Sequence, residues 1–102
     1  MKAILLNTVL TFSEDNNFSH NKILTKGFRF SIWKDENDFT ACEIYEIDDS
    51  IKQVMLGETK KVKLMVLPTK MAYTLKEGDT IYWGVPHTKV GQCKIVDTPI
   101  EV

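Results

Sequence analysis

The sequence predicts an all-β protein, a single six-stranded antiparallel barrel of the Greek-key type. Three observations predict it. Apolar and polar residues alternate with a period of two in several short runs, as strands with one buried face do. Turn signals built from Gly, Asp and Asn recur about every ten residues, and no run carries the 3.6-residue period of an amphipathic helix. Five Phe, three Tyr and two Trp, with many Val, Ile and Thr, favour strands. A chain of 102 residues makes one domain, able to bury roughly two-thirds of its unfolded surface around a single core.

The clearest stretch is 54–67, followed by Pro68. Gly57, Glu58 and Thr59 read as a turn. After it Val62, Leu64 and Val66 share one face, while Lys61, Lys63, Met65 and Leu67 share the other. Pro68 has no N–H for a ladder and should stop the pairing. In chain order, 3–12 is the first strand, too continuously apolar for a water-exposed edge. Residues 13–21 form a polar loop whose only large apolar residue is Phe18. In 27–33, Phe28, Phe30 and Ile32 alternate with Arg29, Ser31 and Trp33, which leaves one aromatic on the polar side. Residues 34–38 are a charged turn.

The third strand, 39–47, alternates Phe39, Ala41, Glu43 and Tyr45 with Thr40, Cys42, Ile44 and Glu46, so Cys42 should lie in the core. A turn at 48–50 and a short bridge at 51–55 lead to the Gly57 turn. The fourth strand starts at Lys60, and 69–75 is an irregular excursion. A polar turn at 76–79 opens the fifth strand, 80–83. Residues 84–87 turn the chain into the sixth, 89–96. Closure into a barrel would remove exposed strand edges.

These residues resemble a known family. Gly27-Phe28-Arg29-Phe30 before Ile32-Trp33 is similar to the Gly-Tyr-Arg-Pro segment of the C-terminal β-barrel of elongation factor Tu. Val54 to Glu58, then Val62 to Pro68, resembles that barrel's Met-x-Pro-Gly-Asp turn and following strand. Gly78 to Trp83, then Thr88-Lys89-Val90-Gly91, resembles its last hairpin. The likeness runs from about Ala3 to Val96 and implies a stand-alone barrel of that type. The departures fall where the family meets tRNA. Its Gly-Gly-Arg-x-Thr-Pro loop is replaced by 15–21, without a cation, and a second Gly-Gly-Arg by Val85-Pro86-His87. The GTPase domain on which the family's barrel packs has no counterpart in this sequence, nor has a P-loop.

The net charge of −1 is no nucleic-acid footprint. Residues 1–51 carry five Lys/Arg against nine Asp/Glu, and 52–102 carry eight against five. Two cysteines without CxxC spacing do not make a disulfide framework. The apolar start breaks at Asn7 and lacks a cleavage site, so it reads as strand, not signal peptide. A cytoplasmic protein is expected.

Arg29, the only arginine, could fork a phosphate or carboxylate, but a cross-strand pair with Glu43 or Glu46 is expected. His20, His87, Cys42 and Cys93 are zinc-ligand types without zinc-site spacing, and no motif supports a Cys–His nucleophile. The carboxylates of 35–38 and 48–49 sit in turns, where solvent discourages catalytic tuning. Neither cofactor nor metal nor enzymatic activity is expected. The expectation is a binding protein for a macromolecular partner, a protein, one version being an immunity- or antitoxin-type inhibitor with its acids facing a basic toxin. Contact is expected at loops 13–21, 69–75 and 84–88, with Phe18, His20, Arg29, Asp35, Glu36, Asp48, Lys61, Lys63, Tyr73, Trp83 and His87 as candidate residues. The alternative is a tRNA- or ribosome-associated binder using Tyr73, Tyr82, Trp83 and Trp33 with Lys60, Lys61, Lys63, Lys70 and Lys89.

Overall fold

In the computed structural model, residues 2–13, 23–85 and 88–102 are described. Six strands close into an antiparallel barrel: β1 (Ile4–Phe12), β3 (Arg29–Trp33), β4 (Phe39–Ile47), β6 (Thr59–Val66), β7 (Thr80–Val85) and β8 (Thr88–Ile95). Their order around the wall is β6-β4-β3-β7-β8-β1, and β1 pairs back onto β6 from Ile4↔Val66 to Thr11↔Thr59. Three consecutive strands, β3, β4 and β6, are thus followed around the wall by β1, the Greek-key order. All six expected strands are present. Three short ones join them: β2 (Ile23–Thr25), β5 (Gln53–Met55) and β9 (Ile100–Glu101).

The period of two holds where burial demands it. Val62, Leu64 and Val66 are buried while Lys61 is exposed, and β6 ends two residues before Pro68. Gly57 has φ of 91°, the left-handed backbone that its turn requires. In β1 the continuous apolar run resolves into an inner row of Ile4, Leu6, Thr8, Leu10 and Phe12. Thr8 is tolerated inside because its hydroxyl donates to the Val62 carbonyl at 2.8 Å.

One alternation fails. Glu46 was expected on the face of Cys42 and Ile44, but the β4–β6 register shifts between Ile44 and Glu46. The bulge turns Tyr45 and Glu46 both outward before Ile47 returns to the core. It spares a carboxylate from burial.

β5 precedes β6 and 67–75 follows it, so the two lie at opposite ends of the barrel. At the β5 end the β2–β5 ribbon lays Leu24 and Val54, both fully buried, over the core. At the other end the excursion becomes a turn of 3-10 helix, Ala72–Thr74, with Met71, Ala72 and Leu75 in the core cluster. Thr69 anchors it by donating to the Thr40 hydroxyl at 2.9 Å. The excursion is therefore mainly a plug.

Inside, Trp83 packs against Phe12 and Phe30 with ring centroids 5.5 and 5.0 Å away, and its indole donates to the Thr11 carbonyl at 2.9 Å. That reach uses space left by Gly91, where a Cβ would collide with the Thr11 carbonyl and the indole nitrogen. Gly91→Ala is expected to cost about 1–3 kcal/mol, the range of core overpacking. Urea unfolding of the variant should show a lower midpoint, and an unchanged midpoint would refute this account of the contact.

Candidate functional site

The expected contact loops do not form one surface. Residues 69–75 lie at one end of the barrel, while Ser13, Gly84, Val85 and Thr88, the described residues of the other two loops, lie at the other, across the length of β1 and β8. Phe18, His20 and His87 fall outside the described residues. The acidic groups separate in the same way. Asp35, Glu36 and Asp38 precede β4 and Asp48 follows it, so the length of this strand, roughly 26 Å, stands between them. A single acidic face from 35 to 49 does not exist.

Arg29 has taken the structural role. It sits opposite Glu43 in the β3–β4 register, and its Nε lies 3.6 Å from that carboxylate. With the Arg29 side chain 85% exposed, the pair is open to water and contributes little to stability. Trp83, a candidate for contact, is fully buried, and its ring belongs to the core. Its position in β7 explains this, since Trp83 shares the inner face of that strand with Ile81.

The lysine row on β6 is largely matched by acids. Lys63 lies 3.4 Å from Glu46, and Lys60 bonds Asp49 with Glu58 at 3.5 Å. The Lys60 hydrogen bond holds the Asp49 carboxyl below its ordinary range, and Asp49 in turn raises Lys60. Lys61 is exposed and makes no ion pair with a described residue. Tyr73 is exposed too, and its hydroxyl donates to Glu101 at 2.6 Å. That bond, with Lys2 beside it, keeps Glu101 below the usual carboxylate value and raises the Tyr73 hydroxyl.

A different cluster emerges on the barrel's outer wall. Trp33 and Phe39 face each other across the β3–β4 hairpin, with ring centroids 4.9 Å apart in an edge-to-face contact. Tyr82 of β7 pairs with Trp33, their rings 6.5 Å apart. With Glu36 and Lys89 at its margins this shelf lines an open groove of about 320 Å³. The Lys89 ammonium sits 4.8 Å from the centre of the Tyr82 ring. Trp33 is only 4% exposed and lies outside the core cluster, and Phe39 and Tyr82 are the described rings that pack on it.

Next to the shelf, the 34–38 turn is held by its own bonds. Asp35 accepts from the Asn37 amide at 3.0 Å, and the Asp38 amide donates to the Asp35 carbonyl. Lys34 turns away to Asp79 at 3.0 Å. Burial alone would raise the Asp79 carboxyl, but bonds from Lys34 and the Lys76 amide outweigh it and hold it low. Asp35, Glu36 and Asp38 make no ion pair with a described residue. The shelf was signalled by Trp33 on the polar side of its strand. Phe39 joins it because the hairpin sets these two residues side by side.

Cys42 and Cys93 are free and buried. Burial pushes both thiols up, and Cys93 and Glu43 raise Cys42 further, so neither offers a thiolate at neutral pH. Among the described residues no three His, Cys, Asp or Glu side chains are grouped to hold a metal.

No family model, curated protein or solved structure matches the chain.

The raised thiols have a consequence for stability. Folded protein keeps both protons above pH 9.0, the ordinary thiol value, where the unfolded chain releases them. Stability from this source is complete below that pH and declines above it, by about 1.4 kcal/mol per pH unit for each thiol. Urea midpoints between pH 8 and 10 should therefore fall less steeply in a Cys42→Ala/Cys93→Ala variant than in the parent. Equal slopes would show that the thiols titrate alike in both states.

Proposed function

We propose that this barrel is a binding protein, without catalytic activity of its own, that docks a protein partner on the outer wall formed by β3, β4 and β7. The observation that carries this reading is the aromatic shelf of Trp33, Phe39 and Tyr82 beside three carboxylates with no ion-pair partner among the described residues. Aromatic rings in a partly desolvated groove are what concentrates binding energy at protein interfaces. The neighbouring acids steer a partner of opposite charge. The partner is therefore basic near its point of contact. A basic toxin held by a small immunity- or antitoxin-type inhibitor is one such partner, met through Asp35, Glu36 and Asp38 without Asp48.

Kinship with the C-terminal barrel of elongation factor Tu is part of the proposal as a matter of fold. The turns at Gly27, Gly57 and Gly78 and the order of the strands support it. An RNA-binding role draws less support, since Lys60 and Lys63 are engaged by acids and Trp83 offers no stacking face.

The test is capture from the native host's lysate on immobilised protein, with and without RNase, using the parent and a Glu36→Lys/Asp38→Lys variant. A stoichiometric protein that survives RNase and is lost with the variant is the expected result. RNA enriched by the parent and by the variant alike, and abolished by RNase, would overturn the reading in favour of translation.

A further inference from the structure

We propose that the Trp33–Phe39–Tyr82 groove is a seat for an arginine side chain of the protein partner, and that Lys89 occupies part of it in the free protein. The inference rests on the docking reading above and specifies what enters the groove. A positive charge over an aromatic face is attracted by the ring quadrupole, and Lys89 shows that the Tyr82 face accepts one. The groove is open, and Phe39 and Tyr82, both half-buried, present ring surface in it to a flat group, while Trp33, 4% exposed, offers almost none. A guanidinium is flat, stacks on aromatic rings and is less strongly hydrated than an ammonium. Glu36 lines the same groove and provides the carboxylate that a guanidinium fork needs. Lys34, the cation closest in sequence, does not satisfy Glu36 because Asp79 holds it.

Lys89 is thus an internal competitor. On entry the partner's arginine displaces the ammonium, which returns to water from its exposed position on β8. This assigns Lys89 a sign opposite to that of an ordinary contact residue. Its removal should strengthen binding of a cation in the groove.

The experiment is an NMR titration of the full chain with the blocked peptide acetyl-Gly-Arg-Gly-amide, and with its lysine and citrulline counterparts. Citrulline keeps the shape of arginine without the charge. The indole N–H of Trp33 is the reporter, and that of Trp83, buried and bonded to Thr11, is the internal control. The arginine peptide should shift Trp33 saturably while Trp83 stays in place, and citrulline should give no saturable shift. Lys89→Ala should tighten binding and Glu36→Gln should weaken it, the former by roughly two- to five-fold, the worth of an exposed cation–π contact. Both positions are exposed, so the variants should fold, which the unmoved Trp83 signal would verify.

Equal responses to arginine and citrulline, or to arginine and lysine, would overturn the assignment. So would an affinity unchanged or weakened by Lys89→Ala. The two readings fail separately. A captured protein lost with Glu36→Lys/Asp38→Lys, but no response to the arginine peptide, would sink the arginine seat and leave the docking face standing. A peptide that binds as described while the lysate yields only RNA would support the seat's side-chain preference and overturn its assignment to a protein partner.

Discussion

Trp83 is the side chain on which the barrel's closure depends most. A six-stranded wall leaves a narrow interior that side chains must fill completely. Trp83 does so from β7, meeting Phe12 of β1 and Phe30 of β3, while its indole is bonded to the Thr11 carbonyl at 2.9 Å. The bond matters because a buried indole N–H left unpaired would cost more than its packing returns. Gly91 on β8 makes room for it, so four strands have their spacing set around a single ring. The strand that profits most is β1, paired with β6 on one edge and with β8 and β9 on the other.

Among the described residues the interior is occupied by buried, mostly apolar side chains, and the charged groups lie on the outside. There several charges are spent on their neighbours. Arg29 meets Glu43 and Lys63 meets Glu46 across adjacent strands, and Lys60 meets Asp49. Such pairs keep the wall soluble and in register without adding much stability. The 34–38 turn gathers three carboxylates that make no ion pair with a described residue. Its hydrogen bonds are internal and its lysine is engaged elsewhere, which leaves these acids beside the open groove that Glu36 lines with Trp33, Phe39 and Tyr82. A rigid hairpin holds both, so a partner would lose little free energy in ordering them.

Much of the architecture could be read from the chain alone because it depends on local rules. Val62, Leu64 and Val66 alternate with Lys61, Lys63 and Met65, and Pro68 cannot donate to a ladder, so the pattern favours one inner face and one end. The burial of Cys42 followed from the same alternation. What stood outside those rules depended on distant partners. The outward turn of Glu46 comes from a bulge that exists only because β4 must stay in register with β6 on both sides of it. Trp83 read as a surface candidate, since nothing local says that Gly91 and Thr11 wait for its indole. Arg29 could be placed opposite an acid by pattern, but only the β3–β4 register made that acid Glu43. The acids of 35–49 looked continuous in sequence and were separated by the length of a strand. The shelf shows the division most plainly. Sequence alone determined that an aromatic would sit on the polar side of its strand. Only the tertiary structure decided that Phe39 and Tyr82 would flank it, because neighbours on a sheet are set by strand order and register, which link residues far apart in the chain.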